Sequence, residues 1–168
     1  MNFRSYRDMA SNLPVSLREI DASTVRAILA LTVAPDQQKF VANNAVSLAQ
    51  ALFSPEAWYR AIYLTDEPVG FVMLYDEALR VPPPEAPELF LWRFMIDARF
   101  QRRGIGSCAL EQVISHARAK RNATSLGVSY VPGPGCPEPF YLASGFRHTG
   151  RVDDGEIVLE LDLAPESR

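Results

Sequence analysis

Cysteine is scarce: the 168 residues contain two, Cys108 and Cys136. They make neither a metal-ligand spacing nor a disulfide framework. Cys108 sits among helical apolar residues and Cys136 has no histidine nearby, so neither reads as an acyl carrier. His116 and His148 are isolated, with no ligand-spaced partner. No apolar run approaches the roughly 20 residues that span a bilayer, and Met1 to Asp8 carries no apolar signal-peptide core. These absences read as a cytoplasmic chain with reduced thiols, no metal and no membrane. Positive charge is not in excess either. The net charge of −3 and pI ≈ 5.4 argue against a nucleic-acid surface and suit, weakly, a cationic small molecule. Neither G-x-x-x-x-G-K-[ST] nor G-x-G-x-x-G occurs, which speaks against a nucleotide-hydrolysing phosphate loop and a dinucleotide fold.

What is present is an ordinary globular composition, 48% hydrophobic and 22% charged. The length fits a single domain over 1–168, with an N-terminal extension at 1–13 and a tail at 164–168. Alternation predicts a strand at 15–20, and Asp21 or Ser23 can cap a short helix running to Leu31. A helix follows at 45–53. Strands at 60–65 and 69–75 flank Asp66-Glu67-Pro68, a hairpin signal. Residues 76–87 hold four prolines (Pro82, Pro83, Pro84, Pro87) and read as a loop. A strand at 89–97, a helix at 105–121, a strand at 125–130 and a short helix at 138–143 ending near Gly145 come next. Two last strands, 146–152 and 157–163, surround Asp153-Asp154-Gly155. The order β-α-α-β-β-β-α-β-α-β-β implies an α/β (α+β) fold, with a mixed sheet and helices on both faces.

The chain is organised around the strand Leu89 to Asp97 and the turn Gln101-Arg102-Arg103-Gly104-Ile105-Gly106 that opens a helix. Such a junction gathers unpaired N–H groups where the helix dipole favours an anion. Arg99, Arg102 and Arg103 stand beside it. A tight connection with solvated arginines is the alternative.

The turn resembles the Q/R-x-x-G-x-G/A pyrophosphate loop of the GNAT superfamily of acetyl-CoA-dependent N-acetyltransferases. Tyr141-Leu142-Ala143-Ser144-Gly145-Phe146 resembles that family's Y-x-x-x-G-F segment at the expected distance, and the element order agrees from about Val15 to Leu163. Residues 38–51, Val69-Gly70-Phe71-Val72-Met73 and Leu91 to Asp97 are similar to a narrower group, the bacterial spermine/spermidine (diamine) acetyltransferases. The resemblance implies a mostly antiparallel, twisted sheet of about seven strands. It also implies acetyl-CoA as co-substrate, a small-molecule amine as acceptor and pairing as a homodimer, for which no stretch marks an interface.

Residue by residue, the resemblance places the pyrophosphate at Gln101, Arg102, Arg103, Gly104, Ile105, Gly106 and Ser107. Glycines there let the backbone come close to phosphates, and arginines pair with them. Phe94, Met95 and Ile96 would hold the pantetheine arm as an added strand, with the first N–H facing the thioester carbonyl. Tyr141 would protonate the departing thiolate, its alternative being a packed helix tyrosine. Trp92 and Arg93 would line the acceptor pocket. Asp76 and Glu77, with Tyr75 and Tyr130, would hold a cationic acceptor by charge and cation–π contact. The proton on the attacking amine needs a base, and Glu88, Asp97, Glu138, Asp76 and Glu77 all remain candidates. The chain departs from the family at Pro134, where relatives often carry a cofactor-contacting asparagine. A favoured polyamine or diamine acceptor competes with an amino acid, peptide or antibiotic amine, and with a non-catalytic acyl-CoA-binding module.

Overall fold

A computed structural model describes residues 13–164. The elements are β1 (Val15–Arg18), α1 (Val25–Leu29), α2 (Asn44–Ala51), β2 (Ala57–Leu64), β3 (Glu67–Asp76) and β4 (Leu89–Ile96). Then come α3 (Ile105–Arg118), β5 (Ser125–Tyr130), α4 (Glu138–Ala143), β6 (Arg147–Asp153) and β7 (Glu156–Asp162). Element types and order agree with the sequence reading. Most of the proposed N-terminal extension, 1–12, and of the tail, 165–168, lies outside the described residues.

The strands form one seven-stranded sheet in the order β1-β2-β3-β4-β5-β7-β6. Every pairing is antiparallel except β4 with β5. Period-2 alternation drives two apolar layers. Ile62, Val72, Leu74, Leu89 and Leu91 pack with α3, through Ile105, Ala109, Leu110 and Val113. Ala61, Tyr63, Phe71 and Met73 pack on the other face with Ile28 of α1 and Leu48 and Ala51 of α2.

Boundaries shift where local hydrogen bonds take over. Asp21 accepts the Ser23 and Thr24 N–H groups at 2.8 and 3.0 Å, so it shapes the turn ahead of α1. The helix ends before Leu31, and the Thr32 N–H goes to Asp97 Oδ2 at 3.0 Å. α3 stops at Arg118 rather than 121, with Asn122 in the left-handed region at φ 61°.

β4 carries the decisive irregularity. Met73 pairs with Arg93 and Leu74 with Leu91, so Trp92 is an extra residue in the strand. The bulge shifts the alternation by one. Leu89, Leu91, Phe94 and Ile96 all reach the α3 layer, while Trp92 and Met95 reach the other.

Candidate active site

β4 and β5 pair only at Phe90↔Gly127 and Leu91↔Val128. Gly127 permits this contact, since a Cβ there would lie 2.6 Å from the Phe90 ring. Beyond it the strands part. β3 continues to hold the other edge of β4 through Met73↔Arg93, Val72↔Phe94, Phe71↔Met95 and Gly70↔Ile96. The β5-facing edge of Phe94, Met95 and Ile96 therefore has no strand partner among the described residues and borders a cleft of about 1280 Å³. A row of backbone groups on such an edge is a template for an extended ligand.

One end of the cleft meets the start of α3. Gly104 is its N-cap at φ 79°, with no side-chain cap, and the Cys108 N–H is the first to return to the Gly104 carbonyl, at 3.1 Å. The N–H groups of Ile105, Gly106 and Ser107 thus have no intrahelical acceptor. Arg102, Gly104, Gly106 and Ser107 line the cleft. Ile105 lies in the core, 1% exposed, and Arg103 is exposed with its guanidinium 5.5 Å from the Phe100 ring. Neither Arg102 nor Arg103 forms an ion pair with a described carboxylate. A Cβ on Gly106 would meet Phe140 and Ile96 at 3.5 and 3.6 Å, ordinary contact, so the protein's own packing does not demand glycine there. Gln101 is a clamp: its Nε2 donates to the Ile96 carbonyl at 2.9 Å and to Gln37 Oε1 at 2.8 Å.

Tyr141 lies on α4, 6% exposed but bordering the cleft. The helix closes behind it with a two-bond stop: the Gly145 N–H donates to the Leu142 carbonyl at 3.1 Å and the Phe146 N–H to the Tyr141 carbonyl at 3.2 Å. Gly145, at φ 98°, takes the left-handed position this requires. Burial pushes the Tyr141 hydroxyl well above an ordinary phenol, so it stays protonated at neutral pH. Its Oη has no hydrogen bond to a described residue. Phe140 beside it stacks on Phe94 with centroids 5.7 Å apart, linking α4 to the exposed edge of β4.

The residues that the sequence reading assigns to an acceptor do not all meet at the cleft. Trp92 and Arg93 line the cleft. Asp76 does not; it is wholly buried against α3, 2.9 Å from Lys120 Nζ and 3.6 Å from His116 Nε2. Glu77 is engaged by Arg80 at 2.8 Å, by the Tyr75 hydroxyl and by the Glu88 N–H. Tyr130 is buried and donates to Glu138 Oε1 at 2.7 Å; burial, then Glu138, push its hydroxyl up to about 12. Two candidate bases are also occupied. Asp97 receives the Thr32 and Arg99 N–H groups and the Arg99 guanidinium, while Glu138 holds Tyr130 and His148.

Of the sequence candidates Glu88 and Tyr75 do border the cleft, and Ser129, Asp153 and Glu156, which the sequence reading does not name, border it with them. Asp153 and Glu156 are the paired ends of the β6–β7 hairpin, whose central residues Asp154 and Gly155 both have positive φ, 46° and 82°. The acidic D-D-G-E run was the available signal. The sheet order hides its importance, because β7 lies beside β5 and brings this distant turn over the cleft. Pro134 does not line the cleft, whereas Gly135, Cys136 and Pro137 of the same loop do.

Among the described residues no helix is long and apolar enough to cross a membrane. A family model described as Acetyltransferase (GNAT) family matches residues 33–131. The spermine/spermidine N(1)-acetyltransferase of Bacillus subtilis (strain 168) is 26% identical over 160 residues, covering 90% of this chain and 100% of that one. An acetyltransferase from Thermus thermophilus superposes with a TM-score of 0.64 at 20% identity, over 89% of this chain and 97% of that one. A GNAT family acetyltransferase from Elizabethkingia anophelis with acetyl-CoA bound superposes at 0.57 and 19% identity, over 89% and 98% of the two chains. At these identities the solved structures establish the fold, and the family match spans more than half the sequence. The chain belongs to the acetyltransferase (GNAT) family.

Proposed function

We propose that the protein transfers the acetyl group of acetyl-CoA to a primary amine, with a di- or polyamine as the favoured acceptor. The observation that carries this reading is one cleft joining three features: the free N–H groups of α3, the edge of β4 at Phe94, Met95 and Ile96 that no described strand covers, and the protonated Tyr141. The Ile105, Gly106 and Ser107 amides and Arg102 fit a pyrophosphate. The β4 edge fits a pantetheine arm, and its amides can hold the developing oxyanion. Tyr141 supplies the proton to the leaving sulfur.

The amine attacks directly in a ternary complex. Cys108 is buried and burial raises its thiol pKa, the reverse of an activated nucleophile. Glu88, Asp153 and Glu156, with Trp92 and Tyr75, make an acidic and aromatic wall suited to a cation. The spermine/spermidine relative supports that choice of acceptor.

One observation favours a second reading, an amine that also bears a carboxylate. Arg93 lines the cleft with its buried Nε–H unpartnered, and its other donors go only to the Trp92 carbonyl and Gln50 Oε1, at 2.8 and 3.1 Å. Thiol release from acetyl-CoA across an amine panel separates the readings. Turnover with putrescine, spermidine and spermine supports the first. Turnover confined to amino acids or peptides overturns the polyamine choice, and no turnover with any amine overturns acetyl transfer.

A further inference from the structure

The geometry points to Glu156 as the group that holds the acceptor ammonium and takes its proton, with Ser129 as its positioning residue. This rests on the acetyl-transfer reading above and holds for either acceptor class, since both present an ammonium.

The carboxylates around the cleft sort by what already engages them. Asp76 is matched by Lys120, Glu77 by Arg80, Asp97 by Arg99 and backbone amides, and Glu138 by Tyr130 and His148. Glu88 and Asp153 are exposed at the cleft mouth. Glu156 alone among these combines a place on the cleft wall, partial burial, and freedom from any cation within ion-pair distance. Its Oε2 accepts a short hydrogen bond from the Ser129 hydroxyl, and its Oε1 has no partner among the described residues. One lone-pair face is fixed and the other is open.

Its position matches the reacting centre. Ser129 directly follows Val128, the last β5 residue to pair with β4, so Glu156 stands where the two strands begin to part. From β4, Arg93 faces it closely enough that Glu156's charge offsets part of the burial that lowers the guanidinium pKa. Arg93 immediately precedes Phe94, the first residue of the partnerless edge. Among the described residues Glu156 is thus set against Arg93 on β4, Ser129 on β5 and its hairpin partner Asp153 on β6. The turn through Asp154 and Gly155, both at positive φ, sets Glu156 opposite Asp153 at the end of the hairpin.

An ammonium N–H bond breaks and its proton bonds to Glu156 Oε1. The freed nitrogen lone pair bonds to the thioester carbonyl carbon, and the C–S bond pair goes to sulfur. Sulfur takes the Tyr141 proton, the second nitrogen proton restores the Tyr141 hydroxyl, and Glu156 releases its proton to water.

Glu156→Gln tests this in the intact protein, with coenzyme A binding and thermal melting measured alongside. The expected result is kcat lowered about 10²-fold or more, unchanged affinity for coenzyme A, and a rate that recovers as pH rises toward the amine's own pKa. Ser129→Ala should give a smaller loss with the same pH trend, and serves if the glutamine variant does not fold. Glu88→Gln and Asp153→Asn should raise the KM for the amine and leave the pH trend in place. A Glu156→Gln variant with wild-type kcat and pH profile overturns the assignment while acetyl transfer stands. A wild-type protein that acetylates no amine overturns both.

Discussion

The Phe146 N–H donates to the Tyr141 carbonyl at 3.2 Å, and the two rings meet edge-on with centroids 5.6 Å apart. The Y-x-x-x-G-F segment is thus a helix stop that orients its own tyrosine: glycine permits the reversal, and the phenylalanine packs back on the ring it follows. Tyr141 is fixed by backbone geometry and aromatic contact, which leaves its hydroxyl available to the cleft.

Tyr141→Phe should lower kcat by about 10²-fold or more, the usual contribution of a positioned acid. Coenzyme A affinity and Tm should change little, because the hydroxyl makes no hydrogen bond to a described residue. Steady-state kinetics with calorimetric binding checks this.

Gly145→Ala should destabilise the fold by about 1–2 kcal/mol, the cost of a left-handed residue with a Cβ. The added methyl would also press on Leu161, 3.2 Å away. Gly145→Asn should be milder, since asparagine tolerates this conformation. Urea unfolding of the two variants gives the comparison.

Arg102→Ala should weaken acetyl-CoA about tenfold, in the range of one charge-assisted hydrogen bond. The loss should vanish with S-acetylpantetheine, which lacks the diphosphate. An equal loss with both donors would place Arg102 elsewhere.

Asp76 carries a pH-dependent stability prediction. Burial pushes its carboxyl up, but the His116 and Lys120 side chains beside Oδ2, at 3.6 and 2.9 Å, and the Ala78 N–H outweigh this and hold it below the usual range. A depressed folded pKa gives stability that is present above the unfolded value of about 3.9 and lost as pH falls through the folded one. Asp76→Asn should cost about 3 kcal/mol near neutral pH by leaving Lys120 without its partner. The gap from wild type should close in acid. The KM for the amine should not move, because Asp76 lies outside the cleft lining.

The fold was legible because each element carries local signals: alternation on β2 and β3, helical spacing on α3, and Gly145 and Asp154-Gly155 at stops and turns. The glycine-containing turn that opens α3 was legible for the same reason, since its residues are contiguous. Arg103 and Ile105 show the limit of a contiguous motif: the Arg103 side chain does not line the cleft, and the Ile105 side chain turns into the core and leaves only its amide at the helix start. The acidic and aromatic wall of the cleft was legible only in part: the sequence singles out Tyr75, Glu88 and Trp92 but not Asp153 or Glu156. It is assembled from β3, the approach to β4, β5 and the β6–β7 hairpin, and a bulge at Trp92 changes which face each β4 side chain takes. Asp76 and Glu77 were plausible ligands by position in a loop, and only tertiary contacts reveal that Lys120 and Arg80 already match them.

Acetyl-CoA labelled in its acetyl group, incubated with the protein and spermidine, tests acetyl transfer itself. The cleft geometry predicts label in the amine, none retained on the protein, and intersecting initial-rate lines when both substrates are varied. Coenzyme A that binds in the cleft while no primary amine acquires label would contradict it and leave a non-catalytic acyl-CoA-binding protein.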